Sequence, residues 1–92
     1  MHPAEREPYI RNRLTAALEP SRLEIVDESH KHAGHKSNVG GGGHFQVTVV
    51  SAAFAGKGLL QRHRMVYDAL GNAMGGAIHA LSIKALTPDE AD

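Results

Sequence analysis

The stretch "ESHKHAGHKSNVGGGGHF", residues 28–45, sets His30, His32, His35 and His44 around four consecutive glycines, in a chain with seven histidines and no cysteine. A neutral imidazole nitrogen ligates borderline and transition metals, so these residue types point to metal chemistry by nitrogen donors. Their spacing commits to less. It contains neither H-E-x-x-H nor a cysteine pair. Asp27 and Glu28 stand beside the first three histidines, so a self-contained structural zinc site is one reading; a solvated, histidine-rich loop is the simpler one. His79 opens "IHALSIKAL" just after a glycine turn. Strand alternation puts it on the face of Leu81 and Ile83, which predicts a partly buried structural histidine ahead of a ligand. His63, in "QRHRMV", lies four residues after Leu59 and three before Val66, which predicts a helix histidine packed at the edge of the core. Arg62 and Arg64 point away from it and form a small basic surface, whose default reading is a solvated face.

Nothing in the sequence points to a catalyst. Ser, His and Asp are present, but no nucleophile sits in an elbow or helix-start motif. "FAGKG" has too few glycines for a phosphate loop, and carboxylates paired at helix spacing are missing. The 92 residues suffice for one domain. Ten basic and ten acidic residues sum to zero, which argues against a generic polyanion binder, because phosphate binding runs on excess Lys and Arg. Without cysteine there is no disulfide and no thiolate metal site. No apolar run approaches the ~20 residues that span a bilayer, and "MHPAEREPYIRNR" lacks the apolar core of a secretory signal. The expectation is a soluble, cytoplasmic protein that does not enter membranes.

These side chains need elements to hold them. Residues 1–7 are polar and expected to be flexible, with Pro8 in the first turn of a helix. Ile10, Leu14, Ala17 and Leu18 form its apolar face, and it ends near Glu19-Pro20. "RLEIVDE" predicts a short strand and residues 29–43 a long His/Gly loop, since four glycines sit badly in a helix or a strand interior. "HFQVTVVS" alternates clearly, with Phe45, Val47 and Val49 on one face. A break at "AAFAGKG" precedes a main helix from Leu59 to about Met74. Its buried stripe is Leu59, Val66, Leu70 and Ala73, with Tyr67 and Met74 beside it. Gly71 is expected to weaken that helix by roughly 1 kcal/mol relative to Ala, and Gly75-Gly76 to end it. "IHALSIKAL" is a third strand. A single domain over residues 8–88 and a tail over 89–92 follow. The order α-β-β-α-β predicts an α/β (α+β) fold. Its first two strands form a hairpin, and a right-handed crossover sets the third strand parallel to its neighbour. The result is a three-stranded mixed sheet with both helices on one face.

Three segments, "LEIVDES", "HFQVTVVSAAFAGKGLLQRHRMVYDAL" and "IHALSIKALTPDE", together resemble the BolA family over roughly residues 8–90. The resemblance implies the BolA fold, similar to class II KH domains, although the KH glycine loop is absent and "AGKG" is a poor substitute. It also implies a monothiol glutaredoxin as partner, with a [2Fe-2S] cluster shared across the heterodimer. The glutaredoxin would give one cysteine and a bound glutathione the second thiolate. From this side would come the histidine of the C-terminal strand, here His79, and a ligand from the loop between the first two strands. The match for that loop ligand is His32, with His35 and His30 as alternatives. The sequence departs from the family pattern in the length of this loop, its extra histidines and the Gly40–Gly43 run. His44 and His63 fall within family-like motifs as structural or interface residues. The same resemblance implies an alternative, a DNA-binding transcriptional regulator of stress response and cell morphology. Lys57, Arg62, Arg64 and Lys84 would then meet phosphates, with His63 in the same interface. Neutral charge and the lack of exposed aromatic platforms weigh against it. A metal-buffering histidine loop with no partner is a third reading.

Overall fold

The computed structural model describes residues 1–29 and 43–91. The loop histidines His30, His32 and His35, and Gly40 to Gly42, lie outside the described residues. The first helix, α1, runs Pro3–Leu18. It starts five residues before the Pro8 start expected from the sequence, so residues 3–7 are helical. The reason is a capping box: the His2 side chain accepts from the Ala4 N–H at 3.0 Å, and Glu5 accepts from the His2 N–H at 3.0 Å. Pro3 takes the first helical position and Pro8 lies inside the helix. There Pro8 deletes one rung, toward the exposed Ala4. Ile10, Leu14 and Leu18 are the buried stripe; Ala17 is exposed.

Strands β1 (Arg22–Asp27) and β2 (Gly43–Val50) pair antiparallel, Ile25 opposite Val47, and β2 pairs parallel with β3 (Ile78–Leu86). The sheet order is β1-β2-β3. The mixed three-stranded sheet is therefore as expected. Phe45, Val47 and Val49 enter the core while Gln46 is exposed. Gly43 belongs to β2 rather than to the loop. It is buried, its N–H donates to Ala77 at 2.9 Å, and a Cβ there would collide with the Phe45 ring.

The break after β2 is a short 3-10 turn, Ala52–Phe54, that drops Phe54 into the core with no exposure. Ser51 fixes it: the buried hydroxyl donates to the Leu18 carbonyl at 2.6 Å and accepts from the Ala53 N–H at 3.1 Å. Helix α2 spans Leu59–Leu70 and gives way to a 3-10 turn, Gly71–Ala73. It is shorter than the sequence pattern implied, and Leu59 is not in its buried stripe but 70% exposed. Gly71 caps α2 at φ 60°, ψ −134°, a backbone conformation that suits glycine. The expected cost relative to alanine is thus inverted. Tyr9 Oη and Arg13 Nε donate to the Leu70 and Ala69 carbonyls at 2.7 and 2.8 Å, so α1 satisfies the end of α2. A final turn, α3 (Pro88–Ala91), follows β3 where a tail was expected.

Candidate functional site

The start of β3 departs from simple alternation. Ile78 is fully buried, and Leu81 and Ile83 also pack against the core. Ile78 and Leu81 are three residues apart, so one extra residue has entered the strand. The ladder places it there: Gly43 pairs with Ile78 but His44 with Ala80, leaving His79 without an opposite number. Such a bulge re-aims side chains. The consequence corrects the partly buried reading of His79, which is exposed. Its ring lies beside that of His44, with centroids 5.1 Å apart and planes tilted by 37°.

His44 is half-buried, and its backbone is tied down on both sides. Its N–H donates to Ser29 Oγ at 2.9 Å and its carbonyl accepts from the Glu28 N–H at 2.7 Å. Asp27 Oδ1 in turn accepts from the Ser29 N–H at 2.9 Å. Beside the pair is an open depression of about 200 Å³, lined by Glu28, His44, Phe45, Ala80, Leu81 and Ser82. The strand ends at Asp27 and Gly43 bracket the segment that carries His30, His32 and His35. Two imidazoles therefore stand where that segment leaves and rejoins the sheet. Among the described residues no cluster of three or more His, Asp or Glu could enclose a metal ion.

Of the basic residues singled out in the sequence, Arg62 is held elsewhere. Arg62 is fastened: Nε donates to the Lys57 carbonyl at 2.8 Å, and Nη1 to the Ala85 carbonyl at 3.0 Å and Glu90 Oε1 at 2.6 Å. The Arg62 hydrogen bond and the Thr87 N–H hold the Glu90 carboxyl down at about 2, and Glu90 in turn raises Arg62. Lys57, Arg64 and Lys84 are exposed. His63 is half-buried on α2 and its Nε2 is buried without a hydrogen-bond partner. Ala85, which Arg62 holds, is six residues from His79 along β3, or about 20 Å. The imidazole pair and the Arg62 guanidinium thus occupy opposite ends of one strand.

Sequence reasoning did not join His44 to His79. The signal was present in "IHALSIKA": apolar residues at 78, 81, 83 and 85 keep a spacing of two only after the first step. A step of three inside a strand marks a bulge.

This is a small α+β domain built on a three-stranded mixed sheet. The family model "BolA-like protein" matches residues 14–90. The chain belongs to the BolA family. It is 48% identical over 82 residues to human BolA-like protein 1, covering 89% of this chain and 58% of the human one. It is 45% identical over 86 residues to Arabidopsis thaliana SufE-like protein 1, chloroplastic/mitochondrial, covering 88% of this chain and 23% of that protein. The chain thus spans less than a quarter of the Arabidopsis relative and under three fifths of the human one. It is also 40% identical to the Escherichia coli DNA-binding transcriptional regulator BolA, covering 88% and 74%. Among solved structures, the BolA domain of SufE1 from Arabidopsis thaliana matches with TM-score 0.79 at 45% identity, over 92% of this chain and 94% of that one. No helix among the described residues is long and apolar enough to cross a membrane.

Proposed function

We propose that this chain is a cytoplasmic adaptor, not a catalyst, that binds a monothiol glutaredoxin and supplies histidine ligands to a [2Fe-2S] cluster shared with that protein and its glutathione, in cluster assembly, transfer or iron sensing. The observation that carries the reading is the bulge at His79, which exposes an imidazole beside a second one at the mouth of the histidine-rich segment. The donor set fits half of such a group. Clusters ordinarily take thiolates and this chain has none, so the partner and glutathione must bring the sulfur ligands. His79 is the ligand from β3, and His32, with His35 or His30 as alternatives, the ligand from the segment between β1 and β2. Imidazole in place of thiolate raises a cluster's reduction potential, as in Rieske centres. The chain's own part is to present imidazole nitrogens at this end of the sheet. A protonated imidazole cannot ligate a metal, so the shared ligation is acid-labile.

The test is visible circular dichroism of this chain mixed with a cluster-loaded monothiol glutaredoxin and glutathione. A new dichroic spectrum that changes with His79→Ala supports the reading, and His32→Ala then tests the second ligand. A glutaredoxin spectrum untouched by the wild-type chain refutes it.

A second reading, DNA binding, draws on the name of the E. coli relative and on exposed Lys57, Arg64 and Lys84. Arg62 is committed to Glu90 and two carbonyls, which leaves fewer cations for phosphates. DNA affinity that falls steeply between low and physiological salt, and that drops with Arg64→Ala, supports this second role.

A further inference from the structure

We infer that His44 and His79 form a two-imidazole site for a single divalent ion, zinc being the natural occupant, on the chain without any partner. Three observations lead there. The rings are 5.1 Å apart between centroids. With nitrogen–zinc bonds of about 2.0–2.1 Å, two imidazoles on one tetrahedral ion have ring centres roughly 5 Å apart. The pair is also held by backbone rather than by chance. The bulge commits His79 to its position, while Ser29 and Glu28 anchor the His44 backbone on both sides. Lastly, His79 is exposed and the neighbouring depression is open, so water can fill the remaining coordination positions. Glu28 also lines that depression.

The ligand set differs from that of the shared cluster, since it uses His44 and needs neither thiolate nor loop histidine. His79 belongs to both. Zinc on the isolated chain therefore occupies a ligand that the adaptor role requires, and free zinc competes with partner loading.

The experiment titrates the tag-free 92-residue chain with zinc by calorimetry, and with cobalt by visible absorption and proton NMR. Wild type is compared with His44→Asn, His79→Asn and the triple variant His30→Ala/His32→Ala/His35→Ala, each checked for folding by far-ultraviolet circular dichroism. The expected result is one ion per chain, with cobalt shifting the ring protons of His44 and His79. Even a hydrogen-bonding neighbour of a metal ligand is worth about 10–100-fold in affinity, so His44→Asn and His79→Asn should each weaken zinc at least about tenfold. The triple variant should bind as wild type does. The inference is overturned if the triple variant loses binding, if His44→Asn leaves it unchanged, or if wild type binds no zinc stoichiometrically. Because no glutaredoxin is present, failure here leaves the adaptor reading standing, and failure of the glutaredoxin experiment leaves this site standing.

Discussion

At the Leu86 end of β3 a network of hydrogen bonds ties the elements together. Arg62 spans from α2 to the Ala85 carbonyl and to Glu90, Glu90 accepts from the Thr87 N–H at 2.8 Å, and the Ser51 N–H donates to the Leu86 carbonyl at 2.9 Å. Phe54 lies fully buried beneath the same corner, its ring 5.9 Å from the Arg62 guanidinium carbon. At the Ile78 end the strand carries an extra residue, a glycine turn precedes it, and His79 faces outward beside His44. One end is closed by hydrogen bonds and the other presents two imidazoles. The difference teaches that a small domain keeps its irregular backbone where chemistry is offered and its closed hydrogen-bond networks where the fold must hold.

The comparison breaks most visibly at Phe54. Phe54→Ala removes a wholly buried ring and should cost about 3–5 kcal/mol, read as a large fall in thermal midpoint. Next comes Gly71→Ala: at φ 60°, ψ −134° any side chain is strained, and its Cβ would meet Arg13 Nη2 at 3.3 Å. About 1–3 kcal/mol of destabilisation is expected, measurable by urea denaturation. Ser51→Ala strips the Leu18 carbonyl and the Ala53 N–H of their partner and should cost about 1–2 kcal/mol in the same measurement.

A smaller, pH-dependent effect belongs to Glu90. Its folded pKa of about 2 lies below its ordinary 4.5. A depressed acid contributes stability above its unfolded pKa and loses it as pH falls through the folded value. The difference in thermal midpoint between wild type and Glu90→Gln should therefore be full above about pH 4.5 and vanish toward pH 2. High salt should shrink it, since the pair is exposed on the Glu90 side. The smallest effect on stability is His79→Ala. An exposed residue away from the core should shift stability by no more than about 0.5 kcal/mol, so a melt of this variant should overlay the wild type.

Much of the fold was legible in the sequence because its signals are periodic. Alternation in "HFQVTVV" located β2, and Ile10, Leu14 and Leu18 gave the stripe of α1. The start of α1 was hidden because a histidine did the capping, a role more often filled by Ser, Thr, Asp or Asn. Phe54 was missed because it lies in a stretch with neither helix nor strand period. Leu59 was misplaced because a helix stripe was extended to a first turn that projects beyond the core. Of the candidate site, His79 was reached through family resemblance, and alternation alone would have buried it. The one-residue insertion that turns it outward leaves only a step of three in the apolar spacing. His44 was set aside because its partner stands 35 positions away in sequence, and only the parallel pairing of β2 with β3 brings the two rings together.

The central claim is that this chain ligates a shared cluster through imidazole nitrogen. The most direct measurement is pulsed electron paramagnetic resonance of the reduced complex with a monothiol glutaredoxin and glutathione, made once with natural-abundance chain and once with this chain alone labelled with nitrogen-15 histidine. The account predicts strongly coupled nitrogen signals that change with the label and are lost in His79→Ala, a variant whose melt should match that of the wild type. Spectra with no strongly coupled nitrogen, or with couplings indifferent to the label, would contradict it.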